Sequence, residues 1–208
     1  MIDKRKILGV ILAGGKGTRI GNQDKGLLKL KNKKLIEHAI ERLSPQVADV
    51  IINANGDPKR FLNQKKQIVS DTAIGFQGPL AGISAGLDYA IINDYSHIVT
   101  VAVDTPFFPK NLVKKLKETA ETSGGLSIVS SVDKSLKNKK HPTFGIWPCH
   151  LSKSLNKQLL NGDRKILIWT DKHNAGNTVF KIKNIDPFFN INTIDDLQYA
   201  NSISESFV

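Results

Sequence analysis

Short apolar runs, each bounded by polar or glycine-containing turns, are the first pattern along the chain. Residues 7–12 (ILGVIL) are continuously apolar, which is typical of a strand covered on both faces in a parallel sheet. Three later runs, at 47–53, 97–103 and 126–132, are rich in β-branched residues. The pattern predicts a strand in each of these segments.

Segments with helical spacing lie between these runs. Residues 34–43 (KLIEHAIERL) have their apolar side chains on one side of a helix and their charged ones on the other. Residues 80–92 and 110–121 also predict helices. Because strands alternate with helices, we expect βαβ units, right-handed crossovers and a mostly parallel sheet, which makes the fold class α/β.

The alternation weakens in the last third of the chain. Helices are predicted near 150–160 and 164–171, and residues 178–183 (TVFKIK) resemble a strand. A chain of 208 residues is within the size of one domain, and no linker rich in Pro, Ser or Gly interrupts it. We therefore expect a single domain over residues 1–208, in which 134–208 contribute a flap and the C-terminal elements.

Composition and charge fit a globular protein with an acidic ligand. Hydrophobic residues make up 40% of the chain and charged residues 24%, which excludes fibrous and disordered classes. The 30 Lys and Arg residues outnumber the 19 Asp and Glu residues and give a net charge of +11. This charge favours a nucleotide, a nucleic acid or a membrane surface without choosing among them. The lysines are spread along the chain with few aromatic residues between them, so we interpret most of them as solvated surface.

The single cysteine and the apolar N-terminal segment bear on location. Cys149 is the only cysteine, which excludes an internal disulfide or a cysteine-built zinc site and predicts the reducing cytoplasm. Residues 4–12 mimic a signal peptide, but the apolar run is short and contains Gly9, so we interpret it as a buried strand. No apolar run approaches the roughly 20 residues that cross a bilayer, and we expect no membrane partner.

A long glycine-rich loop, residues 12–25 (LAGGKGTRIGNQDK), directly follows the first predicted strand. Ligands of open α/β sheets bind beyond the carboxyl ends of the strands, and glycines let backbone N–H groups turn towards an anion. Arg19 and Lys25 add positive charge. The Walker motif fails because Lys25 precedes Gly26, and the GxGxxG fingerprint fails because Ile20 replaces its third glycine. The loop predicts phosphate binding, and a tight strand-to-helix connection is the alternative.

Together with four later motifs, this loop resembles the molybdenum cofactor guanylyltransferases. LAGGKGTRIGNQDKGLLKL resembles their signature LAGGxxxRMGxxDKGL, with Ile20 in place of Met and Asn22 in place of Gly. The later motifs follow in the family's order; they are QGPLAGISAGL at 77–87, VDTPF at 103–107, HPTFGIW at 141–147 and FFNINTIDDL at 188–197. The resemblance covers nearly the whole chain.

The resemblance implies a fold and a reaction. The fold is a Rossmann-like three-layer αβα nucleotidyltransferase fold with a mostly parallel central sheet. The reaction transfers GMP from GTP to the terminal phosphate of molybdenum-bound molybdopterin and releases pyrophosphate. The substrate phosphate is the nucleophile, so catalysis consists of positioning and charge neutralisation. Transient contacts with other cofactor-biosynthesis proteins or acceptor molybdoenzymes are also expected.

The resemblance also assigns catalytic and metal-binding roles. Arg19 and Lys25 would hold the triphosphate, and Asp104, which follows the strand at 98–103, would hold Mg²⁺ together with phosphate oxygens. The alternative for Asp104 is a cap of the turn into the helix after Pro109.

Further residues are implied for the nucleotide and the pterin. The nucleotide-binding set, besides Lys25 and Asp104, is Leu12, Ala13, Gly14, Gly15, Asn53, Asp71, Gly78, Pro79 and Leu80. By pattern alone, Asn53 and Asp71 would be turn caps. Asn190 and Asn192 are implied on the pterin side, with structural hydrogen bonding as their alternative. His141, before a proline, is interpreted as shaping a turn.

Two other functions stay open from the residues. Another nucleotidyltransferase, either cytidylyl transfer to the pterin or transfer to a sugar 1-phosphate, would use the same loop. A basic nucleic-acid-binding module would explain the charge alone, but no recognition motif for it is present, and we expect no nucleic-acid partner. The lysine-rich stretch 134–140 could meet the pterin phosphate or an acidic partner, although we favour a solvated loop.

Overall fold

Strands and helices alternate through most of the chain in the computed structural model, which describes residues 1–14, 24–71 and 78–204. In chain order they are β1 (Ile7–Leu12), β2 (Lys29–Leu30), β3 (Lys33–Lys34), α1 (Leu35–Leu43), β4 (Asp49–Asn53), β5 (Ile68–Val69), α2 (Pro79–Ile92), β6 (His97–Ala102), α3 (Leu112–Ala120), β7 (Ser127–Val132), β8 (Asn138–Pro148), α4 (Ser152–Leu160), α5 (Ile166–Lys172), β9 (Gly176–Lys181) and α6 (Ile194–Ile203). Two 3₁₀ helices, Lys25–Leu27 and Pro58–Gln64, matter for the site described below.

The central sheet has seven strands in the order β5-β4-β1-β6-β8-β7-β9. The pairs β5/β4, β4/β1, β1/β6 and β7/β9 are parallel, whereas β8 is antiparallel to both of its neighbours. A small antiparallel pair, β2 and β3, stands apart from it. The predicted mostly parallel sheet is therefore confirmed, with β8 as its reversed strand.

Two apolar cores, one on each face of the sheet, give the fold three layers. Helices α1 and α3 cover one face with residues such as Ile36 and Leu116. Helices α2, α4 and α5 cover the other face with residues such as Ile83, Leu155 and Trp169. Strand β1 is buried along its whole length because it contributes to both cores. This αβα arrangement agrees with the predicted three-layer fold.

The small residues of α2 allow that helix to lie close to the sheet. A Cβ atom at Gly86 would come within 2.9 Å of Val10 Cγ2, and one at Gly82 would come within 2.9 Å of Leu12 Cδ2. Ordinary side chains would therefore push α2 away from β1. Both glycines pack the helix against the strands that carry the site.

The region after residue 133 is more regular than the predicted flap. Residues 138–148 form β8, a strand inside the sheet between β6 and β7, and 176–181 form the edge strand β9. The pairing of β7 with β8 shifts register between Ile128 and Val129, which face Gly145 and His141. Pro142 falls in this irregularity, where no ladder N–H is needed, which is how a proline fits within a sheet.

The helices of the described ranges are too short or too polar to cross a membrane. Single-domain organisation over residues 1–208 stays a prediction.

Candidate active site

A cavity of about 810 Å³ opens at the carboxyl edge of the sheet, where β1, β4 and β6 end. Its volume is that of a pocket for a nucleotide-sized ligand. The predicted residues that line it are Leu12, Gly14, Lys25, Asn53, Asp71, Gly78, Pro79, Asp104 and Asn190. Parallel strands place their carboxyl ends at one edge, so residues far apart in sequence meet here.

Lys25 and Asp104 form an ion pair inside this cavity. Lys25 Nζ lies 3.0 Å from Asp104 Oδ2, and the two side chains are only 18% and 16% exposed. The same ammonium donates to Asn192 Oδ1 at 2.5 Å. Lys25 thus links the end of the glycine-rich loop, the predicted metal ligand and the predicted pterin-side segment.

Asp104 is held by the segment that contains Asn190 and Asn192. The Ile191 N–H donates to the Asp104 carbonyl at 2.8 Å, and the Thr105 hydroxyl donates to Asn190 Oδ1 at 2.7 Å. Helix α3 has Asn111 as its N-cap residue. The alternative that Asp104 caps that helix is therefore wrong.

Asp196 extends this network to the start of α6. Its carboxylate accepts from the N–H groups of Asn192 and Thr193, each at 2.8 Å. Burial raises the pKa of Asp196, but these two backbone hydrogen bonds, together with an interaction of the carboxylate with the Thr193 side chain, outweigh burial and lower the pKa overall. The negative charge so retained holds the Asn192 backbone in place.

A second polar network lies across the cavity, at the ends of β4 and β5. Asn53 Nδ2 donates to Asp71 Oδ1 at 2.9 Å, and Asn55 Nδ2 donates to Asp71 Oδ2 at 2.8 Å. Asn55 Oδ1 in turn accepts from the Asp71 N–H at 2.9 Å. One amide on each oxygen fixes the orientation of the carboxylate. Asn53 and Asp71 are therefore partners across two strands, which the pattern alone, as separate turn caps, did not indicate.

Four of the predicted nucleotide contacts differ in what they offer. Gly78 lines the cavity with φ of 141°, a conformation that favours glycine, and Pro79 opens α2 beside it. Leu80 is 1% exposed and packs in the core, so its side chain does not face the cavity. The Ala13 N–H already donates to the Asn53 carbonyl at 2.8 Å, which leaves no free backbone donor there.

Two predicted residues, Arg19 and Gly15, lie outside the described residues, as do Ile20 and Asn22. The loop is described only up to Gly14 and again from Asp24. Asp24 begins the 3₁₀ helix that carries Lys25, and its Oδ1 accepts from the Gly26 N–H at 2.9 Å.

Comparison with known proteins decides the family. A model of the MobA-like NTP transferase domain matches residues 9–175. A molybdenum cofactor guanylyltransferase of Mesorhizobium japonicum is 37% identical over 209 residues, which cover 98% of each chain. The chain belongs to the molybdenum cofactor guanylyltransferases. It is thus a nucleotidyltransferase.

Solved structures agree with this molybdenum cofactor guanylyltransferase assignment. The molybdopterin-guanine dinucleotide biosynthesis protein A of Archaeoglobus fulgidus has a TM-score of 0.72 at 26% identity, over 96% of this chain and 99% of that one. A 4-diphosphocytidyl-2C-methyl-D-erythritol synthase of Anaerococcus prevotii has a TM-score of 0.69 at 15% identity, over 98% and 100%. The second likeness shows the fold alone.

This guanylyltransferase also lines its cavity with residues that the sequence analysis missed. They are Asn55, Gly56, Arg60, Ala102, Val103 and Thr143. Asn55 follows Asn53 by two residues, and this spacing was a usable signal because alternate residues of an extended segment share a face. Arg60 and Thr143 gave no such signal, since their approach depends on a 3₁₀ turn and on the irregular strand β8.

The described residues that line the cavity include no histidine and no cysteine. His141 lies in β8, where its ring stacks on Phe188 at 4.7 Å and its Nε2 lies 2.7 Å from the Ser131 hydroxyl. It therefore packs the strand instead of shaping a turn as predicted. Burial lowers its pKa to about 4 and raises that of Cys149 to about 11, which keeps both groups neutral near pH 7.

Proposed function

We propose that the protein transfers GMP from GTP to the terminal phosphate of molybdenum-bound molybdopterin, forming the guanine dinucleotide cofactor and pyrophosphate. The observation that carries this proposal is the position of Lys25. Its ammonium contacts Asp104 and Asn192 in one cavity of about 810 Å³. The elements proposed for the triphosphate, the metal and the pterin therefore share a single site.

The reaction requires the chain to position the two substrates and to neutralise the charge of their phosphates. A phosphate oxygen of the acceptor forms a bond to the α-phosphorus of GTP, and the bond from that phosphorus to the bridging oxygen of the β-phosphate breaks. Pyrophosphate carries away the electron pair. Lys25, and Arg19 by family resemblance, would hold the triphosphate and neutralise the leaving group.

Asp104 fits a Mg²⁺ ligand. Mg²⁺ is commonly held by one or two carboxylates plus substrate phosphates, and the part of the chain that the structure describes holds no cluster of three or more His, Cys, Asp or Glu side chains suited to a metal. A carboxylate that is 16% exposed and faces the cavity meets this need. When bound there, Mg²⁺ would neutralise phosphate charge.

The Asn53–Asp71–Asn55 network is proposed to select guanine. A fixed carboxylate accepts from two adjacent N–H donors, and guanine offers its N1–H and N2–H₂ groups side by side, whereas cytosine and adenine do not. Each Asp71 oxygen accepts from one of these amides, and Asp71 lines the cavity. The backbone around the nucleotide would be that of Leu12, Gly14, Gly15, Gly78 and Pro79. Ala13 and Leu80, which are buried, would support this backbone from the core.

Asn190 and Asn192 are proposed to face the pterin, and residues 1–208 to act as one domain. The seven-stranded sheet, which includes both the first strand β1 and the last strand β9, supports that organisation. The cytoplasm, expected from the lone Cys149, and the transient contacts with acceptor molybdoenzymes belong to the same proposal.

One experiment tests the function. Purified protein is incubated with molybdopterin, molybdate, Mg²⁺ and each nucleoside triphosphate in turn, and the dinucleotide product is identified by mass. We expect the guanine product with GTP and its loss in Asp104→Asn. Equal or better turnover with CTP would contradict the guanine assignment, and pyrophosphate release with a sugar 1-phosphate alone would favour the other nucleotidyltransferase activity.

A further inference from the structure

Arg60 reaches the cavity through a tight turn that follows Asn55. Gly56 has φ of 87°, and the Asp57 side chain accepts from the Lys59 N–H to begin the 3₁₀ helix Pro58–Gln64. This helix turns the chain back, so that Arg60 Nη2 donates to the Asn55 carbonyl at 2.5 Å. The guanidinium therefore stands beside the residue that holds Asp71.

Arg60 also forms an ion pair with Asp24, at the end of the glycine-rich loop, and its guanidinium lies 5.1 Å from the centre of the Phe61 ring. Arg60 Nε lies 3.0 Å from Asp24 Oδ2, and the side chains are 27% and 13% exposed. Nε is also a buried donor that makes no hydrogen bond in the described part of the chain. Guanidinium has five N–H donors, so this contact leaves most of its capacity unused.

The charges along the cavity favour a role for this unused capacity. The described lining of the cavity has two positively charged residues, Lys25 and Arg60, and two negatively charged ones, Asp71 and Asp104. Lys25 is already engaged by Asp104 and Asn192. A triphosphate brings several negative charges into this space, and arginine binds phosphate with a planar pair of donors.

We propose that Arg60 is a phosphate-binding residue of the site, which exchanges its contact with Asp24 for an oxygen of a substrate phosphate. The phosphate belongs either to the nucleoside triphosphate or to the pterin substrate. Both candidates are substrates of the proposed function, on which this inference rests. Arg60 contacts Asn55, which is next to the proposed base-binding carboxylate, and Asp24, which is at the end of the glycine-rich loop. A nucleotide bound between these two places would have its phosphates close to Arg60.

Inorganic tripolyphosphate is the probe, because it has neither base nor pterin and needs no turnover. We expect Arg60→Gln to weaken its binding roughly 10- to 100-fold, the range of a charge-assisted hydrogen bond. Lys59→Gln makes the same charge change on the neighbouring, exposed residue of the same 3₁₀ helix. It should change tripolyphosphate binding less than about twofold, since a solvated charge is screened.

Three further measurements separate phosphate binding from a structural bridge. Guanosine should bind Arg60→Gln as it binds the wild type; an equal loss for guanosine and tripolyphosphate overturns the proposal. Asp24→Asn keeps an oxygen for the Gly26 N–H and removes the competing charge, so tripolyphosphate should bind at least as tightly as before. Weakening that matches Arg60→Gln would show that only the bridge matters. If Arg60→Gln does not fold, Arg60→Lys carries the test, with a loss of about threefold or more expected from the missing fork.

The two sources of phosphate are told apart by substrate. Loss with tripolyphosphate and GTP assigns Arg60 to the nucleotide, whereas loss confined to molybdopterin binding assigns it to the pterin phosphate. Unchanged binding of all three overturns the proposal. Failure of the wild type to make the guanine dinucleotide would instead refute the proposed function and leave the tripolyphosphate result standing.

Discussion

Gly82→Ala should damage nucleotide binding although Gly82 does not line the cavity. A Cβ atom at this position would overlap Asn53 Oδ1 and come 2.9 Å from both Asn53 Cγ and Leu12 Cδ2. Asn53 is 3% exposed and its amide donates to the Val69 carbonyl and to Asp71 Oδ1. The new methyl group must therefore turn the Asn53 side chain or move α2.

The magnitudes predict a modest loss of stability and a clearer loss of binding. Alanine raises helix propensity by about 1 kcal/mol over glycine, whereas overpacking in a tight core costs about 1–3 kcal/mol. The free energy of unfolding should therefore change by roughly 0 to 2 kcal/mol. Loss of the Asn53–Asp71 hydrogen bond removes about 1 kcal/mol of the interaction that orients the Asp71 carboxylate. GTP should therefore bind about 5- to 10-fold more weakly.

Gly86→Ala is the matched control for this prediction. Its Cβ atom would meet Val10 Cγ2 at 2.9 Å and Ile98 Cδ1 at 3.3 Å, which are apolar groups on the same side of the same helix and away from the cavity. Urea unfolding measures stability, and equilibrium titration with GTP measures binding. Gly86→Ala should lose stability with unchanged GTP affinity. If both variants bind GTP equally well, Asn53 does not act through Asp71 and the reasoning fails.

Three other changes have expected outcomes. Lys25→Ala should abolish dinucleotide formation although the chain still folds, with a far-UV spectrum like that of the wild type; retained turnover contradicts the role of this ammonium. His141 is neutral in the fold, with a pKa of about 4 against an ordinary 6.5, so the unfolded chain takes up its proton first on acidification. Stability should thus be full above pH 6.5 and fall between pH 6.5 and 4, by up to roughly 3 kcal/mol from this residue; His141→Gln should flatten that fall in urea unfolding at pH 7 and pH 5. Joint replacement of Lys137, Lys139 and Lys140 by Gln should leave the KM for the pterin substrate unchanged, and a raised KM would give the lysine-rich stretch a function.

Local pattern was sufficient for strands β1, β4, β6 and β7 of the central sheet and for the helices between them. Strand β1 coincides with the predicted 7–12, because a run apolar on both faces has few other solutions. Helices α1 and α2 begin within one residue of the predicted 34 and 80. Predicting which residues follow the strand ends then located most of the cavity, because a parallel sheet brings those ends together.

Strand β8 could not be predicted in this way. Its sequence begins with the polar residues Asn138, Lys139 and Lys140 and contains Pro142, and it pairs with β7 through a register shift between Ile128 and Val129. Alternation of apolar and polar residues is lost where such an irregularity occurs. Only the tertiary structure shows that this segment joins the two halves of the sheet.

Side-chain partners at long sequence separation were equally hidden. Lys25, Asp104 and Asn192 were predicted to meet the triphosphate, the metal and the pterin respectively, yet the Lys25 ammonium contacts both of the other side chains. A Lys25 substitution therefore removes more than a contact with triphosphate, because it also leaves a carboxylate and an amide oxygen, both in a partly buried setting, without their donor. This residue joins the proposed nucleotide and pterin halves of the site, so effects of substitutions at Lys25 and Asn192 on binding of the two substrates should not be additive.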